Sequence, residues 1–222
     1  MEDYQAAYGG TSRIDAMNGG YDDGYKACEC FWGKQPGSLL NILAEHCADL
    51  TNKIALDAGC GEGKNAIHLT RGGASVDAFD ISEVAIARAT KLWPDSDRVN
   101  WRCVDIREVH LPDCTYDITV AYGLLHCLSG QSEVQRVLIN LQDATKEGGF
   151  NVICAFNDRS QDLAAHPGFC PTLLSHDYFV RSYASWDLLY CTDSDLHETH
   201  PHNNIPHVHS MTRILARKRG PM

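Results

Sequence analysis

The sequence has no long apolar run and no leader-like start. No stretch approaches the roughly 20 consecutive apolar residues that a helix needs to cross a bilayer. Residues 1–5 include two acids and lack the apolar core of a secretory signal. We therefore expect a soluble, cytoplasmic protein that does not associate with membranes.

Basic residues are also scarce. The formal net charge is −10, with 19 lysines and arginines against 29 acids. The one basic cluster, residues 217–219, is too short to follow a phosphate backbone. This balance argues against a nucleic acid partner and favours a small-molecule substrate.

Cysteines are present, but they lack the spacing of a redox or zinc motif. Cys28 and Cys30 are separated by one residue, whereas those motifs place two or more residues between the sulfurs. Cys60, Cys103 and Cys154 lie in segments predicted to be buried or to bind a cofactor. We expect reduced thiols rather than disulfides.

The length of 222 residues suits one α/β domain. Residues 1–30 are rich in glycine, tyrosine and acids and show no sustained period, so we interpret them as a flexible arm, either a disordered tail or a lid. Residues 31–222 then form the domain. Strands are predicted at 54–56, 75–80, 99–104, 116–122 and 150–156, and helices at 38–46, 64–71, from Ser82 onward, and at 132–144.

Two further β-prone runs, 185–191 and 207–216, follow a loop at 158–171. No helix is predicted between them, so they should pair as an antiparallel hairpin at the sheet edge.

The stretch from Ile54 to Asn65 predicts a nucleotide-cofactor loop. Gly59, Gly61 and Gly63 alternate after a short apolar strand, so the backbone can turn tightly and a ligand can approach it closely. This spacing differs from the Gly-x-Gly-x-x-Gly of pyrophosphate-binding folds. Asp57, just before the loop, suits an ammonium group, and Asp80, at the end of the next strand, suits the ribose hydroxyls. The pair fits S-adenosylmethionine.

The motif series resembles class I S-adenosylmethionine-dependent methyltransferases. It comprises residues 56–63 (LDAGCGEG), Asp80, Asp105 and residues 122–126 (YGLLH). Residues 31–36 (FWGKQP) and the histidines near the C-terminus are similar, more narrowly, to tellurite-resistance-type small-molecule methyltransferases. The resemblance implies a Rossmann-like α/β fold: a mostly parallel seven-stranded sheet with an antiparallel C-terminal edge strand and helices on both faces.

The resemblance also implies transfer of a methyl group to a small-molecule acceptor by in-line displacement. The methylated atom, whether nitrogen, oxygen, sulfur or carbon, stays open, and a thiol or a metalloid oxyanion is an alternative acceptor. A nicotinamide-dependent oxidoreductase is disfavoured by the glycine spacing. A cofactor-binding protein without catalysis is the remaining alternative. We expect a monomer or a homodimer.

The predicted cofactor-binding residues follow the motif series. They are Trp32, Asp57, Gly59, Cys60, Gly61, Asn65, Asp80, Ile81, Asp105, Ile106 and Ala121. In the family an acidic residue at the position of Asp105 faces the adenine amino group, although an aspartate at a strand end is also a common helix cap. Trp32 either walls the cofactor pocket or packs in the core.

The predicted catalytic residues are His126 and Tyr122. Methyl transfer depends chiefly on positioning, so the absence of a catalytic triad excludes little. His126, just beyond the fourth strand, is the candidate base, and the alternative is a histidine that bonds only to backbone.

The predicted substrate-binding residues are Tyr21, Tyr25, His126, His200, His207 and His209. The segment His197-Glu-Thr-His200 is one residue short of the zinc-protease motif and lies among prolines, so we discard that reading. The histidines of this region bind an anionic acceptor, hold a metal or decorate an exposed turn, and no metal is assigned.

Overall fold

The computed structural model describes residues 21–166, 168–200 and 204–220. The helices are α1 (Tyr21–Ala27), α2 (Ser38–His46), α3 (Lys64–Arg71), α4 (Glu83–Leu92), α5 (Gln131–Ala144) and α6 (His176–Ser182), with a 3₁₀ turn at Leu125–Cys127. The strands are β1 (Ile54–Ala58), β2 (Ser75–Asp80), β3 (Val99–Cys103), β4 (Tyr116–Tyr122), β5 (Thr145–Gln161), β6 (Asp187–Thr199) and β7 (Pro206–Arg217).

All seven strands form one sheet in the order β3-β2-β1-β4-β5-β7-β6. Strands β1 to β5 run parallel, because a helix or crossover returns the chain between them. Strand β7 runs antiparallel to both β5 and β6. It lies between them, and β6 forms the edge of the sheet. This is the predicted Rossmann-like sheet, and the C-terminal hairpin at its edge is confirmed.

Helices cover both faces of the sheet. On one face, α2 buries Leu39, Leu40 and Leu43 together with α3. On the other face, α5 buries Leu138 and Leu141 with α6 and the 3₁₀ turn. The spacing of three and four residues gives each helix one apolar stripe, and the sheet is covered on both sides as a parallel sheet requires.

The described structure differs from the prediction in four elements. Helix α1 lies in the segment predicted to be irregular, and α6 lies in a segment for which no element was predicted. Strand β5 extends to Gln161 and β6 to Thr199, into the two segments predicted as loops. Part of the predicted arm, residues 21–27, is therefore helical, whereas residues 1–20 lie outside the described residues. The lid role stays a prediction.

Each of the ten cysteines, all within the described ranges, is a free thiol. Among those same residues, no helix combines the length and the apolar character that crossing a bilayer demands.

Candidate active site

A cavity of about 450 Å³ opens at the carboxyl ends of β1, β2 and β4. This is the end of a parallel sheet where ligands bind, and the volume lies within the usual range for small-molecule sites. Eleven predicted site residues line it: Tyr21, Tyr25, Trp32, Gly59, Cys60, Gly61, Asn65, Asp80, Ile81, Asp105 and Ile106. The two predicted catalytic residues, Tyr122 and His126, line it as well.

The glycine loop joins β1 to α3 through left-handed backbone. Gly59, Gly61 and Gly63 have φ values of 70°, 53° and 85°, where side chains with a Cβ are strained. At Gly61 an added Cβ would lie 2.9 Å from the hydroxyl oxygen of Tyr25. The amide of Gly61 donates a 2.8 Å hydrogen bond to the carboxylate of Asp80. The loop is therefore fixed to the end of β2.

Asp57 lies beneath this loop and is fully buried. Its Oδ2 accepts a 3.0 Å hydrogen bond from the amide of Ala66 in the first turn of α3. Burial raises the pKa of Asp57 to about 7. Its Oδ1 has no hydrogen-bond partner among the described residues. Asp57 does not line the cavity. It lies one layer behind the loop and not where the predicted direct contact with an ammonium group would require it.

Asp80 lies at the cavity wall where the ribose position was predicted. Its second oxygen, Oδ1, accepts a 2.9 Å hydrogen bond from the amide of Ser82. Burial raises the pKa of this carboxyl. Two backbone donors therefore orient the carboxylate, which retains acceptor capacity for a ligand.

Asp105 is held by Arg107 rather than capping a helix. The guanidinium of Arg107 donates two close hydrogen bonds to it, Nε to Oδ1 at 2.8 Å and Nη2 to Oδ2 at 2.6 Å. The pKa of Asp105 is lowered from its ordinary value: burial acts in the opposite direction, but the hydrogen bonds and charge of Arg107 outweigh it. Both residues line the cavity beside Ile106. The carboxylate is thus fixed next to an apolar surface suited to a flat ring.

His126 does not have the properties of a general base. Its Nδ1 accepts a 3.1 Å hydrogen bond from the amide of Phe156, so the ring carries its proton on Nε2. The ring stacks on Phe156 with centroids 3.8 Å apart, and it is 2% exposed. Burial lowers the pKa of His126 to about 3. The structure therefore corrects the base assignment and supports the backbone-bonded alternative, in which Nε2–H is available only as a donor.

Tyr122 ends β4, with its hydroxyl 3.5 Å from the hydroxyl of Ser38. Burial raises the pKa of Tyr122 to about 12, so the phenol stays protonated at neutral pH. Its ring occupies the space where a Cβ on Gly37 would lie, at 2.3 Å. Tyr122 can donate a hydrogen bond or position a ligand at the cavity wall.

Aromatic side chains cover the cofactor loop. Trp32 donates a 3.2 Å hydrogen bond from Nε1 to the hydroxyl of Tyr25, and Tyr21 packs edge-on against Trp32 at 5.4 Å. Tyr25 and Trp32 lie over Gly61, on the cofactor side. The structure thus places Tyr25, predicted to bind the acceptor, against the cofactor loop instead.

The predicted histidines converge beside the aromatic cover of the cavity, where His200 packs against Trp32 at 5.3 Å. His200, His207 and His209 are buried behind the wall, and their Nε2 atoms surround the Nε2 of His166 at 3.2, 3.2 and 3.3 Å. Burial, helped by the neighbouring imidazoles, lowers the pKa of His209 to about 4, so that ring is uncharged at neutral pH. An anionic acceptor would therefore not meet a charged imidazole at His209.

Two residues that the sequence did not single out present this cluster to the cavity. His166 and Glu198 both line the wall. Glu198 pairs across strands with His207, and its Oε1 lies 3.5 Å from the Nε2 of His207 and 3.7 Å from that of His209. His197, next in sequence, is exposed on the opposite face. The alternation of side chains between the two faces of β6 is the signal that could have identified Glu198. His166 lies in a loop whose sequence shows no such periodic pattern.

The acceptor end also contains a cation that sequence reasoning missed. Arg213, on the same strand as His207 and His209, lines the cavity, and its Nη1 donates a 2.7 Å hydrogen bond to Ser194. Lys64 also lines the cavity and donates to the carbonyl of Trp32 at 3.1 Å. Both positive charges lie close enough to Glu198 to act on its carboxylate.

These features fit the methionine, ribose and adenine parts of S-adenosylmethionine. Tyr25 and Trp32 lie over Gly61, and the buried Oδ1 of Asp57, one layer behind the loop, retains an acceptor position that a bridging water can fill. Asp80 and Asp105 present carboxylates to the same cavity. Ala121, predicted to contact the cofactor, is fully buried in β4 behind the wall.

Comparisons with known proteins agree with this geometry. Residues 55–149 match the family described as "Methyltransferase domain". The protein named probable S-adenosyl-L-methionine-dependent methyltransferase TehB, from Haemophilus influenzae strain 10810, is 26% identical over 167 residues, which are 74% of this chain and 57% of that protein. The chain therefore spans little more than half of the length of that relative.

Solved structures show the same fold. The crystal structure of TehB from Haemophilus influenzae superposes with a TM-score of 0.68 at 22% identity, covering 82% of this chain and 62% of that one. The Burkholderia thailandensis 1,6-didemethyltoxoflavin-N1-methyltransferase, solved with 1,6-didemethyltoxoflavin and S-adenosylhomocysteine, gives 0.65 at 16% identity and covers 99% of this chain and 98% of that one. At these identities the likeness concerns the fold alone. Together with the family match, it shows that the chain resembles a class I S-adenosylmethionine-dependent methyltransferase domain, with the sequence match confined to residues 55–149.

Proposed function

We propose that this protein transfers a methyl group from S-adenosylmethionine to a small-molecule acceptor. The observation that supports it most directly is that the glycine loop, Asp80 and Asp105 line the same cavity as Tyr122, Arg213 and Glu198. One end of the cavity has the chemistry of a nucleoside and amino acid site, and the other has polar groups for a second ligand.

On the cofactor side, the chain's own residues bind and orient S-adenosylmethionine. Asp80 accepts from the ribose hydroxyls, Asp105 accepts from the adenine amino group, and Ile106 packs on the ring. Trp32 and Tyr25 cover the glycine loop at Gly61. When bound, the cofactor supplies an electrophilic methyl group on a sulfonium centre.

On the acceptor side, the residues position a nucleophile and exclude water. Tyr122 and the Nε2–H of His126 are hydrogen-bond donors at the wall, and Arg213 attracts an anionic group. Apolar side chains such as Met211 and Phe156 line the same region and lower its polarity. Orientation in such a site can supply most of the acceleration that methyl transfer needs.

Calorimetry with S-adenosylhomocysteine tests the cofactor half. Asp80→Ala should weaken binding by about 1.5–3 kcal/mol, because a charged hydrogen-bond partner is lost. Asp97→Ala is the matched control, since this aspartate is exposed in the turn after α4. Unchanged affinity in Asp80→Ala, or equal loss in both variants, would show that the ribose assignment is wrong.

A panel of acceptors tests the reaction. Thiols, phenols, carboxylates, amines and metalloid oxyanions are each incubated with protein and S-adenosylmethionine, and S-adenosylhomocysteine is quantified by mass spectrometry. At least one class should yield methylated product above the enzyme-free control. Titration with NADH is the parallel control for a nicotinamide site, and saturable binding of NADH without binding of S-adenosylhomocysteine would overturn the proposal.

A further inference from the structure

The histidine cluster at the acceptor end has the geometry of a metal centre. Ligand atoms of His166, Glu198, His207 and His209 lie within 4.8 Å of one another. The Nε2 of His166 is 3.2 Å from that of His207 and 3.3 Å from that of His209. With metal–nitrogen bonds of about 2.0–2.1 Å, neighbouring ligands lie about 3.0 Å apart in an octahedral site and about 3.4 Å apart in a tetrahedral one. The two distances from the Nε2 of His166 fall in this range.

Hydrogen bonds behind the cluster fix two of the imidazole tautomers. The Nδ1 of His207 lies 2.8 Å from the carbonyl oxygen of Ile205, which can only accept, so Nδ1 carries the proton. The lone pair of His207 is therefore on Nε2. This Nδ1–H to carbonyl bond is the usual outer partner of a metal-bound histidine.

His209 is fixed in the same way by Gln161. The amide nitrogen of Gln161 donates to the carbonyls of Asn157 and Ser210 at 2.7 and 2.8 Å, which leaves its Oε1 facing His209. That oxygen lies 2.8 Å from the Nδ1 of His209, so this histidine also carries its proton on Nδ1. Its lone pair points to the centre of the cluster.

The centre of the cluster is therefore surrounded by more hydrogen-bond acceptors than there are hydrogen atoms to donate to them. Two lone pairs converge on the Nε2 of His166, which can carry one hydrogen at most, and Oε1 of Glu198 adds a third acceptor within 3.7 Å of both. A positive ion at this point satisfies all of them. The imidazoles are also held rigidly, since His209 stacks on Phe156 at 4.1 Å and His200 stacks on Phe31 at 5.1 Å.

We propose that His166, His207, His209 and Glu198 bind one divalent transition-metal ion, and that this ion coordinates the methyl acceptor. Imidazole nitrogen with one carboxylate suits zinc, iron or nickel. His200 is buried next to these four residues, with its Nε2 3.2 Å from that of His166 and 4.0 Å from Oε1 of Glu198. His166 and Glu198 reach the cavity, so a position opposite the buried histidines faces the acceptor.

The role of the ion rests on the proposed function, whereas its binding does not. An acceptor with a hydroxyl, thiol or carboxyl group binds through that atom and releases its proton to solvent on coordination. The lone pair that remains is then held toward the cofactor end of the cavity. Acceptors of this chemistry are the expected substrates.

Metal binding is measured on the whole 222-residue chain after treatment with a chelator and dialysis. Titration with Zn²⁺ should show one equivalent bound. Replacing His207 and His209 together by alanine, or Glu198 by glutamine, should weaken Zn²⁺ binding at least 10-fold. His197→Ala is the matched control, because it removes a histidine from the exposed face of β6, the strand that carries Glu198. Circular dichroism of the chelator-treated variants, with His166→Asn as a milder loop variant, separates loss of ligands from loss of folding.

Two results would overturn the metal site. One is a parent protein that binds no Zn²⁺, Fe²⁺ or Ni²⁺ at millimolar concentration. The other is an equal weakening of Zn²⁺ binding in His197→Ala and in Glu198→Gln.

Co²⁺, added in place of Zn²⁺ as a spectroscopic probe, reports whether the metal has an open coordination position toward the cavity. The visible spectrum of the Co²⁺ protein should shift when azide is added, and an unchanged spectrum would contradict acceptor coordination. Calorimetry with S-adenosylhomocysteine on chelator-treated protein is the independent check, since failure of cofactor binding there refutes the proposed function without affecting the metal titration.

Discussion

At the scale of single residues, Gly63 shows how closely the cofactor loop is packed. It precedes α3 in a left-handed conformation, and an added Cβ would lie 2.2 Å from the ring of Trp101. Gly63→Ala should therefore cost about 1–2 kcal/mol from backbone strain and about 1–3 kcal/mol from overpacking. Urea unfolding measures the sum.

A double variant separates the two contributions of Gly63. Adding Trp101→Leu to Gly63→Ala makes room for the methyl group but leaves the backbone strain. Part of the loss should be recovered relative to the sum of the two single variants. Strict additivity would show that Trp101 does not restrict this position.

His126 makes stability depend on pH. Its pKa is lowered to about 3 in the folded chain, whereas the ordinary value is 6.5. Between these values the unfolded chain binds a proton that the folded chain does not, so stability falls as pH decreases from about 6.5 toward 3. His126→Phe keeps the ring but removes this titration. The slope of unfolding free energy against pH should decrease by up to about 1.4 kcal/mol per pH unit.

The control for this measurement is internal. His126→Phe leaves the amide of Phe156 without its acceptor and lowers stability at every pH. Only the slope reports the titration, and equal slopes in parent and variant between pH 4 and 6 would contradict the assignment.

At the scale of elements, α1 connects the two sides of the cavity. Asp22 accepts a hydrogen bond from the hydroxyl of Ser82, which caps α4, and Tyr21 packs against Phe169 at 5.7 Å. Gly24 faces Phe31 so closely that an added Cβ would lie 2.7 Å from its ring. The helix therefore docks through a small residue, one hydrogen bond and one aromatic contact.

Gly24→Ala tests this docking. Alanine raises helix propensity by about 1 kcal/mol, but its methyl group pushes α1 away from Phe31. We expect weaker binding of S-adenosylhomocysteine with little change in the urea midpoint. Phe31→Leu in the Gly24→Ala background should restore affinity, and a lack of rescue would assign the loss to another contact.

The elements also show what the sequence could predict. Helices α2 and α3 have the predicted bounds because period and glycine signals are local. Helix α1 was missed because its apolar contacts come from Phe31 and α4. The extension of β6 was missed because its buried face carries a charged group, Glu198, instead of apolar residues. The glycine loop and Asp80 were predicted from one motif, whereas the cluster around His166 requires three separate segments to meet.

At the scale of the whole molecule, the predicted lid is open to a direct test. Lys26 is exposed in α1, so trypsin can report whether this helix stays docked. Cleavage after Lys26 should slow when S-adenosylhomocysteine and an acceptor are present together. Arg98, exposed in the turn before β3, is the reference site. Equal slowing at both sites would indicate general stabilisation rather than closure of α1.

The glycine loop and the proposed metal ligands come from separate parts of the chain. Residues 55–149 match the methyltransferase domain family, whereas the cluster of His166, Glu198, His207 and His209 comes from the segment that follows. The hairpin joins the rest of the sheet along β5 only. Under the proposed function, mutation or recombination beyond residue 157 can therefore alter the proposed metal ligands while the glycine loop, Asp80 and Asp105 are inherited unchanged. A gene with this layout can give rise to paralogues that bind one cofactor and differ in the acceptor they take.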